Sequence, residues 1–287
     1  LLAAVARRPR IELRCPARVM HARADAAGME VGLEDDTLRA DLLVIADGAA
    51  SALRESLGFF TRRKSYGQHG LIANLAFEQD HRGRAFERFT ASGPLALLPL
   101  VPTAESDHRM ALVWTLPPGE AQRLQATEDD SFCSALADAF GHRLGRITRV
   151  GERHSYPLAL VEAVEQVRRH CVVLGNAAHS LHPVAGQGFN LALRDAAALS
   201  REIAGAIDRQ CSPGDLETLE SYARSRQDDQ DLTIGASDGL PRLFMTADPL
   251  VSLGRDLALA GLDMFPLLRR QFVHQAAGMA GLESGHG

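Results

Sequence analysis

The chain is poor in cysteine: four in 287 residues, Cys15, Cys133, Cys171 and Cys211, far apart and without a C-x-x-C pair. Free thiols in a reducing compartment are the expectation, and with it a cytoplasmic location. It also lacks a basic surplus. Lys and Arg number 31 against 36 Asp and Glu, a formal net charge of -5, which argues against a general nucleic-acid binder because that needs a basic face. No uninterrupted apolar run approaches the ~20 residues that span a bilayer. No signal peptide is visible, since the opening LLAAVARRPR is short and soon turns basic. Repeats and low-complexity segments are missing too. The first residue is Leu1 rather than Met, and LLAAVA reads as the inside of a helix under way, so a preceding segment is expected.

What is present is ordinary globular material, 46% hydrophobic and 23% charged, enough for one large domain or two lobes with a buried core. LLAAVARR reads as the end of a helix. IELRCPARVMHARAD and MEVGLEDDTLRADLLVIAD alternate apolar and polar residues between Ala-Gly and Asp-Asp turns, as strands and hairpins do. LLVIA, residues 42–46, is a buried-strand run that ends at Asp47-Gly48. SALRESLG reads as a short helix with Ser51 as N-cap and Gly58 as stop. The middle differs: YGQHGLIANLAFEQD, RAFERFTASGPLALLPLVP and HRMALVWTLP read as strands without a helix between each pair, which implies an antiparallel sheet. SFCSALADAFGHRLG has helical spacing, HCVVLG is a second buried strand, and FNLALRDAAALSREIAGAID and LETLESYARSRQDDQDLTIGASDGLPRLF read as helices. The expected fold is α/β (α+β). Residues 1–57 and 159–200 form one layer, 58–158 an inserted antiparallel-sheet lobe, and 201–287 a C-terminal helical region.

The segment GNAAHSLHPVAGQGFNLALRD, residues 175–195, places Gly186-Gln187-Gly188 at the mouth of a helix. Unpaired N–H groups point outward there, the helix dipole adds partial positive charge, and glycine lets a flat or anionic ligand approach the backbone. The loop is either such a cradle or a turn that lets helix and strand pack. A dinucleotide-binding G-x-G-x-x-G is rejected, because the third glycine is missing and the loop does not follow its strand tightly. His179 and His182 form an H-x-x-H without a third ligand, which favours a structural role over a metal site. Asp228 to Asp231, DDQD, read as a solvated helix face. The C-terminal LPRLFMTADPLVSLGRDLALAGLDMFPLLRRQF mixes apolar residues with Arg242, Arg255, Arg269 and Arg270. It packs on the body of the protein or offers a peripheral membrane or partner surface.

LLVIADGAASALRESLG and GNAAHSLHPVAGQGFNLALRD together resemble the class A flavoprotein aromatic monooxygenases of the para-hydroxybenzoate hydroxylase type. Within that family, LHPVAGQGFNLALRD, with Asn176 where most members carry Asp, is similar to the bacterial ubiquinone-biosynthesis hydroxylases, nearest the 2-polyprenyl-6-methoxyphenol hydroxylases. GPLALLPL and SYPL fit as well. The resemblance covers nearly the whole chain and implies an FAD-binding Rossmann-like lobe with a substrate lobe inserted. It implies FAD over Pro183 to Asn190, with backbone N–H groups near Gly188 and Phe189 facing the flavin N1 and C2 carbonyl. Gly186, Gln187, Gly188, Phe189 and Asn190 thus bind cofactor, and the backbone at Pro183 and Gly188 is the catalytic part of the loop. Reduced flavin is anionic at that edge, which a helix N-terminus stabilises. Asn176, beside Gly175, takes the place of the Asp that hydrogen-bonds the ribityl chain. Asp47, Gly48 and Arg54 fall on positions linked to the FAD pyrophosphate and to nicotinamide use; spacing alone leaves open a turn Asp and a surface Arg.

The implied chemistry is reduction of FAD by NAD(P)H, activation of O₂, and oxygen transfer to an electron-rich, polyprenylated phenol, with no metal. The expected partners are that phenol, ubiquinone-biosynthesis proteins, the inner-membrane surface, or a second copy of the chain. The strand and G-x-G-x-x-G with which such enzymes begin are not found before Asp47. A chain starting at Leu1 is therefore expected to bind FAD weakly or not at all. The rival expectations are a non-catalytic assembly component that keeps the fold, and a flavin hydroxylase acting on a soluble aromatic.

Overall fold

A computed structural model describes residues 2–104, 106–183 and 186–245. In chain order the elements are α1 (Leu2–Ala6), β1 (Val19–Asp25), β2 (Gly28–Leu33), β3 (Thr37–Ala40), β4 (Leu43–Ile45), α2 (Ala52–Ser56), β5 (Thr61–Phe77), β6 (Phe86–Thr90), β7 (Gly93–Pro99), β8 (Arg109–Leu116), α3 (Pro118–Ala126), α4 (Asp129–Phe140), β9 (Ile147–Ala163), β10 (Val167–Arg168), β11 (Cys171–Val173), a 3-10 turn at Gly175–Ala177, β12 (His179–Ser180), α5 (Gln187–Asp208) and α6 (Leu216–Met245). The fold is mixed α/β. The described residues divide into two compact units. The first holds the chain up to Thr61, Ala163–Ala178 and Asp195–Arg226; the second holds Arg62–Glu162, His179–Arg194 and Gln227 onward.

In the first unit, β1, β2 and β3 form an antiparallel meander, and β10, β11 and β4 a second small sheet in which β11 and β4 are parallel. Strand β11 is apolar at every position because both its faces are covered. Cys171 and Val173 join Met29, Val31, Ile45 and Phe59, while Val172 packs with Ala198, Leu199, Leu219 and Tyr222. Burial pushes the Cys171 thiol up to about 12, against the weaker pull of Arg168, so this cysteine stays protonated and inert.

The second unit is built on a six-stranded sheet of order β12-β9-β5-β8-β7-β6. Alternate residues Met110, Leu112, Trp114 and Leu116 of β8 point to one face, as a period of two requires. That face is covered by Ala121 and Leu124 of α3 and by Phe132, Leu136 and Phe140 of α4, the latter spaced four apart along the helix.

The structure departs from the sequence reading in three places. PPGEAQRLQA, to which the sequence reading assigned no element, forms α3 with Pro118 at the first helical position, where a missing N–H costs nothing. RAFERFTASGPLALLPLVP is a hairpin, with Phe86–Thr90 paired to Gly93–Leu97. Strands β5 and β9 each run 17 residues, through polar stretches such as Arg62–Ser65 that carry no strand pattern. They are neighbours in the sheet, so pairing with each other extends them past their apolar segments.

Candidate functional site

The first cluster lies at one edge of the β4–β11 pair. Cys171, Val172 and Val173 align with Leu43, Val44 and Ile45, and the Leu174 N–H donates to the Ile45 carbonyl at 2.8 Å. Because the strands are parallel, their carboxyl ends share that edge, where α/β sheets bind ligands. One strand runs out into Asp47-Gly48, the other into Gly175-Asn176. Gly48 has φ +101° and Gly175 φ +60°, left-handed conformations that glycine adopts without penalty. Asp47 and Asn176 are both exposed. Neither side chain has a hydrogen-bond partner among the described residues, so a carboxylate and an amide stand free at adjacent strand ends.

Helix α2 follows Gly48 and is fixed at both ends. The Ser51 hydroxyl accepts the Arg54 N–H at 3.0 Å, an N-cap as expected. At the other end Arg168 donates to the carbonyls of Leu57 (2.6 Å) and Gly58 (2.9 Å), pairs with Glu165, and lies 4.6 Å from the centre of the Phe59 ring. Sequence reasoning missed Arg168, because no spacing rule links it to a helix end more than a hundred residues earlier.

Arg54 is not a surface arginine: it is 1% exposed. Its Nη1 donates to the Ala177 carbonyl at 2.8 Å, its Nη2 approaches Glu55 at 3.4 Å, and its Nε has no partner among the described residues. The guanidinium thus ties α2 to the 3-10 turn that presents Asn176. A buried cation persists only when hydrogen-bonded, so this tie fixes the turn.

The second cluster belongs to the other unit. Strand β12 pairs His179 and Ser180 with Glu162 and Val161 of β9. The chain continues through His182 and Pro183; Gly186, φ +62°, then leads into α5. The N–H groups of Gly188 and Phe189 precede the first i→i−4 bond of α5 and carry the positive end of a 22-residue helix dipole. Phe189 is 66% exposed beside them.

The two glycines of the loop differ in kind. Gly186 is required by its φ. Gly188 sits in helical backbone, where Gly is weaker than Ala by ~1 kcal/mol. A Cβ there would meet only the Leu181 Cβ at 3.9 Å, an ordinary contact. No packing among the described residues explains this glycine, whereas a flat ligand resting on the helix end would.

Of the remaining candidates, His182 packs against Tyr66, and no three His, Cys, Asp or Glu converge on a metal-sized site among the described residues. The stretch Asp228–Asp231 is only half solvated. Asp228 and Asp231 are exposed, but Gln230 is buried, and Asp229 takes a 2.8 Å ion pair from Arg194 because that face of α6 meets the start of α5. Arg255, Arg269 and Arg270, and with them most of the C-terminal surface, lie outside the described residues. No described helix is long and apolar enough to cross a membrane.

The chain is similar to known proteins in sequence and fold. The chain is 37% identical over 279 residues to the ubiquinone hydroxylase UbiL of Rhodospirillum rubrum, covering 97% of this chain and 64% of that one. It is 29% identical to the 3-demethoxyubiquinol 3-hydroxylase of Escherichia coli, covering 94% and 68%. It therefore spans about two thirds of the length of these relatives. Among solved structures, PqsL, a probable FAD-dependent monooxygenase from Pseudomonas aeruginosa, matches with a TM-score of 0.65 at 25% identity over 80% of this chain and 64% of that one. The p-nitrophenol 4-monooxygenase PnpA of Pseudomonas putida shares the fold, with a TM-score of 0.75 at 18% identity over 96% and 70%. Residues 1–230 match the FAD binding domain family, and the chain belongs to it.

Proposed function

We propose that the protein is an FAD-dependent hydroxylase that uses NAD(P)H and O₂ to oxygenate a polyprenylated phenol in ubiquinone biosynthesis. The observation that carries the reading is Gly188, a glycine in a helix's first turn that neither its backbone conformation nor packing among the described residues requires. It leaves the N–H groups of Gly188 and Phe189 open to an anionic, planar edge. The kinship with ubiquinone hydroxylases supplies the substrate class.

Two groups of residues, one in each unit, have the chemistry that such a cofactor needs. Asp47, Gly48, Gly175 and Asn176 would hold its polar chain at the strand ends: glycine backbone allows close approach, and the free amide of Asn176 both donates and accepts. Arg54 keeps that turn in register through the Ala177 carbonyl. Pro183, Gly186, Gln187 and the first turn of α5 would meet its redox end, where fixed N–H dipoles stabilise negative charge without reorganising. Bound flavin supplies the hydride acceptance from NAD(P)H and the activation of O₂. The protein's own part is to orient the ring, exclude water and oppose charge at the helix end.

The test is titration of the purified protein with FAD, followed by NAD(P)H-dependent oxygen consumption with prenylated and unprenylated phenols. Flavin binding with oxygen uptake that depends on the prenylated phenol supports the reading. Weak binding is what a chain without a G-x-G-x-x-G before Asp47 should show and leaves the reading standing; no binding at any accessible FAD concentration removes the cofactor assignment, and equal activity on a soluble phenol removes the substrate assignment.

A further inference from the structure

His182 stands between β12 and α5 and is 1% exposed, yet neither of its ring nitrogens has a hydrogen-bond partner among the described residues. Its ring meets Tyr66 of β5 edge to face, centroids 5.0 Å apart and planes at 82°. Asp238 of α6 acts on it electrostatically, and that carboxylate is itself paired with Lys64 at 2.9 Å. Burial holds the imidazole neutral, lowering its pKa to about 4 against the pull of Asp238. A side chain kept this way contributes shape rather than charge.

The location gives that shape a consequence. β12 fixes the backbone at His179 and Ser180 through its pairing with β9. Few residues separate that point from the first turn of α5, and Gly186 among them has the widest conformational freedom. The His182 ring, sunk against Tyr66 of β5, comes between them, one residue before Pro183.

We propose that His182 is the positioning residue of the flavin loop: its neutral ring, wedged against Tyr66, sets where Pro183 and the N-terminal turn of α5 lie. The inference rests on the reading of that turn as the flavin contact, and it stands or falls on a separate measurement. His182→Ala removes the wedge; His182→Phe keeps an edge-to-face ring and removes both nitrogens.

The experiment is amide hydrogen exchange on both variants and the wild type, with peptides covering residues 190–197, the first hydrogen-bonded amides of α5, and, as reference, α3 and α4. His182→Ala is expected to speed exchange in 190–197 by about 10-fold while α3 and α4 hold, and His182→Phe to return it to within about 2-fold of wild type. FAD titration of the same proteins is expected to show a weakened, altered visible flavin band in His182→Ala and its recovery in His182→Phe. Unchanged exchange in the Ala variant overturns the proposal. So does fast exchange in the Phe variant, which would assign the role to the nitrogens rather than the ring. If none of the proteins binds FAD, the cofactor reading falls, and the exchange data still decide whether His182 sets the loop.

Discussion

Replacing Arg54 separates its two contributions. The stem of the side chain is buried, and its Nη1 makes a charge-assisted hydrogen bond of 2.8 Å to the Ala177 carbonyl. Losing that bond costs about 2 kcal/mol, most of it the penalty of a buried carbonyl left without a donor. Losing two buried methylenes, Cγ and Cδ, adds about 2 kcal/mol at roughly 0.8 kcal/mol each. Arg54→Ala forfeits both but also removes a buried charge whose Nε has no partner among the described residues, which returns about 1 kcal/mol, so its unfolding free energy should fall by about 3 kcal/mol. Arg54→Met removes the same charge but keeps the stem. It should cost only about 1 kcal/mol. Stability therefore distinguishes the two variants, but FAD affinity should not: both lose the bond that holds Gly175–Ala177, so both should weaken binding by about 10-fold or more. Urea unfolding and flavin fluorescence titration provide the two readings. An Arg54→Met protein that binds FAD as wild type does would refute the argument that this arginine acts by fixing the turn.

Three further outcomes follow from single groups. His182 has a folded pKa of about 4 against 6.5 unfolded, so the unfolded chain takes up a proton first as the pH falls. The contribution of this residue is complete above pH 6.5 and declines by about 3 kcal/mol as the pH drops to about 4; urea unfolding at stepped pH should show this slope in wild type and not in His182→Phe. Asp195, 1% exposed, accepts from Arg226 at 2.7 Å, and its charge, after burial, holds the Tyr222 hydroxyl protonated. Asp195→Asn should cost about 3 kcal/mol by removing the buried carboxylate to which Arg226 donates, and a double-mutant cycle with Arg226→Met should recover much of it; additive losses would contradict the pairing. Gly186→Ala should destabilise the protein by about 1 kcal/mol through its φ of +62°, whereas Gly188→Ala should stabilise the free protein by up to ~1 kcal/mol and weaken FAD binding. A Gly188→Ala protein with unchanged FAD affinity would remove the observation on which the functional reading rests.

The sequence was most legible where local rules act alone. Ser51 and Gly58 bracket α2 as a cap and a stop should, and the apolar runs before Asp47 and Gly175 are the buried parallel pair β4 and β11. Gly186-Gln187-Gly188 does open a long helix. What escaped is what depends on contacts between distant segments. Arg54 read as a position linked to the cofactor or as a surface arginine, never as a buried tie, since its partner is a backbone carbonyl 123 residues away and carbonyls have no letter in a sequence. Arg168 and the Tyr66–His182 pair escaped for the same reason. So did the polar halves of β5 and β9, whose only strand signal is each other.

That division explains why the proposed site was readable while its support was not. A ligand that approaches backbone requires glycine, and glycine at a strand end or helix mouth is conspicuous in a sequence. Here the glycines recur at both clusters, Gly48 and Gly175 in one unit, Gly186 and Gly188 in the other. Holding backbone in place falls instead to side chains such as Arg54 and Arg168, buried and half-buried, which donate to main-chain carbonyls rather than to a ligand; the proposal for His182 assigns the same part to a ring packed on Tyr66. Activity assays alone would not separate these two groups, because both would lose turnover. Stability does: the positioning residues should destabilise the protein when removed, and Gly188, present for a ligand, should not.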